Sequence, residues 1–176
     1  SNRLAEAETY LAKALAADPR SVLANTAMGM SKVRQENYAE AEKYLDAAVS
    51  GDANDYKALY WYATLIVRES TKGLMGSEIP PEKAKKAADL LARAIKIKPD
   101  SAESADMLAF IALVRQEGLD KALTVLKTAL NAQPGNQRLA LRIIDILLAK
   151  QQYDEALASA KKIAANSENE EIGSRA

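Results

Sequence analysis

Val22–Ala53 reads VLANTAMGMSKVRQENYAEAEKYLDAAVSGDA. Two amphipathic helical segments flank a polar turn at Glu36-Asn37. In the second segment Ala41, Leu45 and Ala48 stand at i, i+4 and i+7, one face of a helix. In the first, Met28-Gly29 sets a large apolar residue beside one without a side chain. The stretch predicts a helical hairpin. Its small residues bring the two axes toward the short end of the ~8–10 Å range.

The pattern recurs before and after. The register alanine of the second helix appears as Ala7, Ala41, Ala87, Ala122 and Ala156, at intervals of 34, 46, 35 and 34 residues. Leu11, Leu45, Leu91, Leu126 and Ala160 follow at i+4, and Ala14, Ala48, Ala94, Ala129 and Ile163 at i+7. Pro19, Pro99 and Pro134 come five residues later, while Ala53 and Glu168 take that place in the other two copies. Proline stops a helix there, because it lacks an N–H and disfavours helical backbone in the residue before it. N-cap candidates come next: Ser21, Asp55, Asp100 or Ser101, and Asn136. Asn37 with Glu40, and Asp100 with Glu103, fit capping boxes.

The resulting map has nine helices. A lone second helix, Arg3–Ala17, is followed by four hairpins. These are Val22–Gln35 with Tyr38–Ser50, Asp55–Glu69 with Pro81–Ile97, Ser101–Gln116 with Leu119–Ala132, and Gln137–Lys150 with Tyr153–Ala165. Residues 1–168 are expected to form one array: a partial repeat 3–20 and repeats 22–55, 56–101, 102–136 and 137–168. Residues 169–176 are expected to be a polar tail or the start of a truncated helix.

A 34-residue repeat of paired helices resembles the tetratricopeptide repeat. Met28-Gly29, Tyr62-Ala63 and Leu108-Ala109 stand where that family has a large apolar residue followed by a small one, whereas Ile143-Ile144 departs from it. Tyr38 and Tyr153 match the aromatic opening the second helix, and Ala84 and Leu119 replace it elsewhere. The large aromatic early in the first helix is missing: Asn25, Leu59, Ala105 and Ala140 stand there. The resemblance implies an all-α, right-handed superhelical solenoid of antiparallel helix pairs, with a concave face lined by first helices. Each repeat buries its apolar face only against its neighbours.

Twelve extra residues, about Ser70–Pro81, separate the helices of the second full hairpin. Their two Gly and the Pro-Pro pair mark a loop. Leu74, Met75 and Ile79 give it two readings: it tucks back onto the hairpin, or it contributes to partner binding. The extra residue near Glu117-Gly118 is a longer turn in which Gly takes positive φ.

Composition removes whole classes of chemistry. The chain of 176 residues has no His and no Cys, which excludes Ser-His-Asp and Cys-His arrangements, disulfides and zinc–thiolate sites. No stretch matches a phosphate-cradling or calcium loop. Glu36, Glu40 and Glu42 read as capping and solubilising groups. No enzymatic activity, cofactor or metal is expected. With 24 basic and 24 acidic residues, no charge excess directs the chain to nucleic acid, and no apolar run approaches a membrane span. Cysteine absence fits cytoplasm or periplasm alike, so the compartment stays open.

The family resemblance places the functional surface on the first helices. By register the partner-binding residues are Thr26, Met30 and Arg34 in one hairpin, and Lys57, Tyr60 and Thr64 in the next. Asp106 and Phe110 follow in the third, and Arg138, Leu141 and Asp145 in the last. Of Tyr60-Trp61-Tyr62, Tyr62 belongs to the core; Tyr60 faces the groove with Trp61 at its edge, or both pack under the loop or the next repeat. Some members of the family grip a chaperone's C-terminal carboxylate with Lys, Asn and Arg; here Thr26, Met30, Trp61 or Thr64, Glu103 and Met107 stand instead, so that ligand is not expected. The expected function is a scaffold for a protein or peptide partner held in the groove, within a larger multidomain protein. Ser1-Asn2 look like the remnant of a cleaved tag. The other reading is a spacer or self-association module, acting through exposed terminal helices such as Leu4–Leu15, in a bacterial secretion or envelope accessory protein.

Overall fold

The computed structural model describes residues 2–50, 54–72 and 78–173. Those residues form nine α-helices and no strand. They are α1 (Asn2–Ala17), α2 (Val22–Arg34), α3 (Tyr38–Val49), α4 (Tyr56–Thr71), α5 (Pro81–Ile97), α6 (Ala102–Arg115), α7 (Leu119–Ala132), α8 (Gln137–Ala149) and α9 (Tyr153–Gly173). Two compact units result: Ser1–Lys98, with α1 to α5, and Pro99–Ala176, with α6 to α9. Ala53, Leu74 and Met75, on which sequence expectations fall, lie outside the described residues, as do residues 174–176.

Helix starts follow side-chain chemistry. Ser21, Asn37, Asp55, Ser101 and Asn136 each accept a hydrogen bond from a first-turn N–H. Between Asp100 and Ser101 the cap is Ser101. The expected capping box at Asn37 forms only by half. Asn37 Oδ1 accepts from the Glu40 N–H at 3.4 Å, but the Asn37 N–H donates to the Lys32 carbonyl and the Glu40 carboxylate pairs with Lys32. Pro80 precedes α5 and Pro81 is its first residue, where the missing N–H costs nothing.

The hairpin turns close on left-handed residues. Glu36 (φ 59°) and Gln151 (φ 60°) each end a first helix. Asn37 N–H reaches the Lys32 carbonyl and Glu36 N–H that of Val33; Gln152 and Gln151 reach Leu147 and Leu148 in the same way. These paired bonds form a Schellman motif, usually built on glycine. Gln116 (φ 53°) and Gly118 (φ 69°) turn the chain between α6 and α7.

In the first unit α1 packs on α2, α2 on α3, α3 on α4 and α4 on α5, with α2 also touching α4. Ala41, Leu45, Ala48, Leu59, Ala63, Ala87, Leu91 and Ala94 are wholly buried. Gly29 shows why small residues matter: a Cβ there would lie 2.5 Å from Leu45 Cγ. Asn25 replaces the family's aromatic and is buried because its amide donates to the Pro19 and Ser21 carbonyls, both at 3.0 Å. Glu8 on α1 joins Ser31 and Lys32 on α2 and Gln35 just past its end; these donors hold its carboxyl below the usual range, the Ser31 hydroxyl first among them. Tyr62 is in the core as expected. Its hydroxyl accepts from Lys86 Nζ (2.9 Å) and lies 3.3 Å from Asp46 Oδ1, and burial raises its pKa. Ile79 of the insertion is wholly buried, in keeping with a segment that tucks back.

In the second unit α6 packs on α7, α7 on α8, α8 on α9 and α6 on α8. Its core runs from Ala105 and Ala109 through Leu126 and Ala129 to Leu139, Ile143, Ile146 and Ala156. Helix α9 continues to Gly173, past the expected end at Ala165. No proline or glycine interrupts the run before Gly173.

Candidate protein-interaction face

In each first helix the candidate residues share one stripe, at i, i+3, i+7 and i+11. In α2 it holds Leu23, Thr26, Met30 and Arg34; in α4 it holds Lys57, Tyr60, Thr64 and Arg68. Contact between α2 and α4 sets the two stripes side by side.

Thr26 and Thr64 turn out to be buried rather than open to a partner. Thr26 Oγ1 lies 3.5 Å from Asp55 Oδ2, the cap of α4, and Thr64 donates back to the Tyr60 carbonyl at 2.9 Å. Short side chains at these two places are covered by their neighbours and serve the packing. Leu23 is 78 % exposed, and Met30, Tyr60 and Trp61 are half-buried. Tyr60 and Trp61 meet edge to face with centroids 5.6 Å apart. The Arg34 guanidinium lies 5.5 Å from the Trp61 ring centre, so the aromatic pair is braced from α2. Arg34, Lys57 and Arg68 are exposed, and no carboxylate among the described residues pairs with them. An apolar, aromatic and cationic strip results.

The second unit carries a different arrangement. Asp106, an expected contact residue, is only 6 % exposed at its side chain and is held between two arginines of α8. Arg142 Nε donates to Oδ1 at 2.8 Å, and Arg138 reaches Oδ2 at 2.5 Å. Arg142 also touches Asp145 at 3.3 Å. Asp106 therefore ties α6 to α8 and offers little of its carboxylate to a partner. Phe110 is half-buried, while Leu141, Asp145 and Arg138 are exposed. Arg142 escaped the sequence reading. Its spacing of four from Arg138 on one helix face was the signal that could have found it.

Among the described residues, no group of three or more potential ligand residues could hold a metal ion, and no helix is long and apolar enough to cross a membrane. Stacked helix pairs with a side-by-side strip of first-helix residues define a helical-repeat scaffold for protein–protein interaction.

Family comparison gives that class its family. Two profiles described as tetratricopeptide repeat match residues 26–102 and 113–173. The chain belongs to the tetratricopeptide-repeat family. Its members are in general non-enzymatic scaffolds for protein or peptide partners. No curated protein matches the chain at the sequence level. Solved structures agree on the fold. MamA superposes with a TM-score of 0.75 at 22 % identity, over 94 % of this chain and 89 % of that one. YrrB, titled a tetratricopeptide-repeat protein with an unusual peptide-binding site, gives 0.69 at 22 % identity, over 92 % and 76 %. PilF of Pseudomonas aeruginosa gives 0.72 at 18 % identity, over 93 % and 69 %.

Proposed function

We propose that the chain binds a segment of another protein along the α2/α4 strip. The observation that carries this reading is the Tyr60–Trp61–Arg34 cluster beside exposed Leu23 and three cations without a carboxylate partner among the described residues. Rigid aromatics braced by arginine are the side chains that dominate interface energetics. Unpaired cations favour a partner carrying acidic as well as apolar groups. Peptide binding in YrrB, a fold relative, is consistent with this class of ligand. We further propose that the strip serves one part of a larger multidomain protein, with repeats dividing at 22–55, 56–101, 102–136 and 137–168 as their sequence register requires.

Affinity capture with the Tyr60→Ala/Trp61→Ala variant tests the reading. Recovery of bound protein should fall by about tenfold or more, the scale of one lost hot spot. Equal recovery by variant and wild type would refute it.

Self-association is a second reading, favoured by one observation. Helix α1 packs on α2 and leaves Leu4 and Tyr10 exposed on its own surface. Sedimentation across a concentration series separates the two readings, since only self-association raises the mass of the isolated chain.

A further inference from the structure

A half-open hollow of about 370 Å³ lies between α7, α8 and α9. It lies within the second unit. Leu130, Ala140, Ile143 and Ile163 supply apolar lining, and Lys127 and Lys162 the charge. The size is at the lower end of ~300–1,000 Å³ ligand pockets.

Register within this same chain explains the hollow. Counted from Ala63 and Ile144, Leu59 and Ala140 are equivalent; counted from Ala87 and Ala156, so are Leu90 and Ser159. In the second full hairpin Leu59 and Leu90 are buried. In the last hairpin Ala140 and Ser159 line the opening instead. Relative to that hairpin the last carries smaller residues at both places, and smaller groups leave space that close packing would otherwise fill.

Its charge is equally one-sided. Neither Asp nor Glu is among the lining residues, and no described carboxylate pairs with Lys127 or Lys162. Asn131, Gln137 and Ser159 add neutral polar groups. An apolar floor with two ammonium groups, paired by no described carboxylate, matches a side chain that is large and apolar next to one that is acidic.

We infer that this hollow is a second peptide site, taking a Leu or Phe side chain from an acidic segment whose carboxylates meet Lys127 and Lys162. Its occupant enters as a side-chain knob from outside.

The chain has no cysteine, so Lys161→Cys on α9 carries an environment-sensitive dye beside the hollow. The probe is a synthetic peptide with a Leu-Phe pair between Asp-Glu pairs, titrated into the labelled full chain. The dye should respond saturably, and weaken as salt rises to about 0.5 M. Ala140→Leu, which restores the leucine of α4, should weaken the response at least about tenfold. Lys127→Glu/Lys162→Glu should do the same, and a peptide with Lys for its acidic residues should not bind. Filling a cavity preserves the fold, which circular dichroism checks; Ser159→Leu fills the same space from α9 if Ala140→Leu loses helicity. The inference is overturned if the dye stays silent to about 1 mM peptide, or if the filled and charge-reversed variants titrate like wild type. A response from Trp61 alone would place the peptide on the first-unit strip, sinking this inference while leaving the proposed function standing.

Discussion

Replacing Gly29 with alanine should loosen the first unit even though alanine is the better helix former. The added Cβ would meet Leu45 Cγ at 2.5 Å and Cδ2 at 2.7 Å. Cγ is the branch point of a wholly buried side chain, so rotating a far end out of the way does not relieve the clash. Helix propensity contributes about 0.5–1 kcal/mol in alanine's favour. Overpacking a filled core costs about 1–3 kcal/mol. The net expectation is a loss of about 1–2 kcal/mol. In a unit of about this size, 1 kcal/mol moves the thermal midpoint by ~4–8 °C. The single tryptophan, Trp61, lies in the same unit, so its fluorescence reports that unit alone. Gly135→Ala is the control, since a Cβ there meets nothing within 4 Å. An unchanged or raised midpoint for Gly29→Ala would refute the close approach of α2 and α3.

Other outcomes follow from individual contacts. Arg142→Ala should cost about 2–3 kcal/mol because it strips a partner from a buried carboxylate, whereas Arg138→Ala, whose side chain is 75 % exposed, should cost under about 1 kcal/mol; urea unfolding followed by circular dichroism separates them. Glu36→Gly and Gln151→Gly should each stabilise by about 1 kcal/mol, because glycine relieves left-handed backbone, and thermal scans check the direction. The Glu8 cluster makes α1 sensitive to pH. Glu8's folded pKa lies below its ordinary 4.5, so its contribution is complete above that value and is lost as pH falls through the lowered one. Lys32 is shifted above 10.5, so its share is complete below that value and is lost only in stronger alkali. Protection of α1 amides against hydrogen exchange, relative to their intrinsic rates at each pH, should therefore fall on acidification in wild type and much less in Glu8→Gln.

The hairpins were legible because close packing writes itself into sequence at fixed intervals. Ala41, Leu45 and Ala48 recur with their counterparts since only small residues allow those helices to meet, and prolines and cap residues mark where helices stop and start. The binding residues were less legible. Periodicity assigns Thr26, Thr64 and Asp106 to the stripe, but says nothing of what covers them. Asp55 and the arginines of α8 settle the fate of Thr26 and Asp106 through contacts distant in sequence, while Thr64 donates to the Tyr60 carbonyl one turn back. The hollow behind Ala140 was hidden for a similar reason: small residues are visible in a sequence, but a neighbour's failure to collapse onto them is not.

The central claim is that the chain holds a partner on its first-helix strip. A photo-crosslinking amino acid in place of Lys57, set against one in place of Glu82 on α5, tests it most directly. The strip predicts partner adducts from position 57, mapped by mass spectrometry to segments rich in acidic and apolar residues, and few from position 82. Equal adducts at both positions, or adducts at 82 alone, would contradict it.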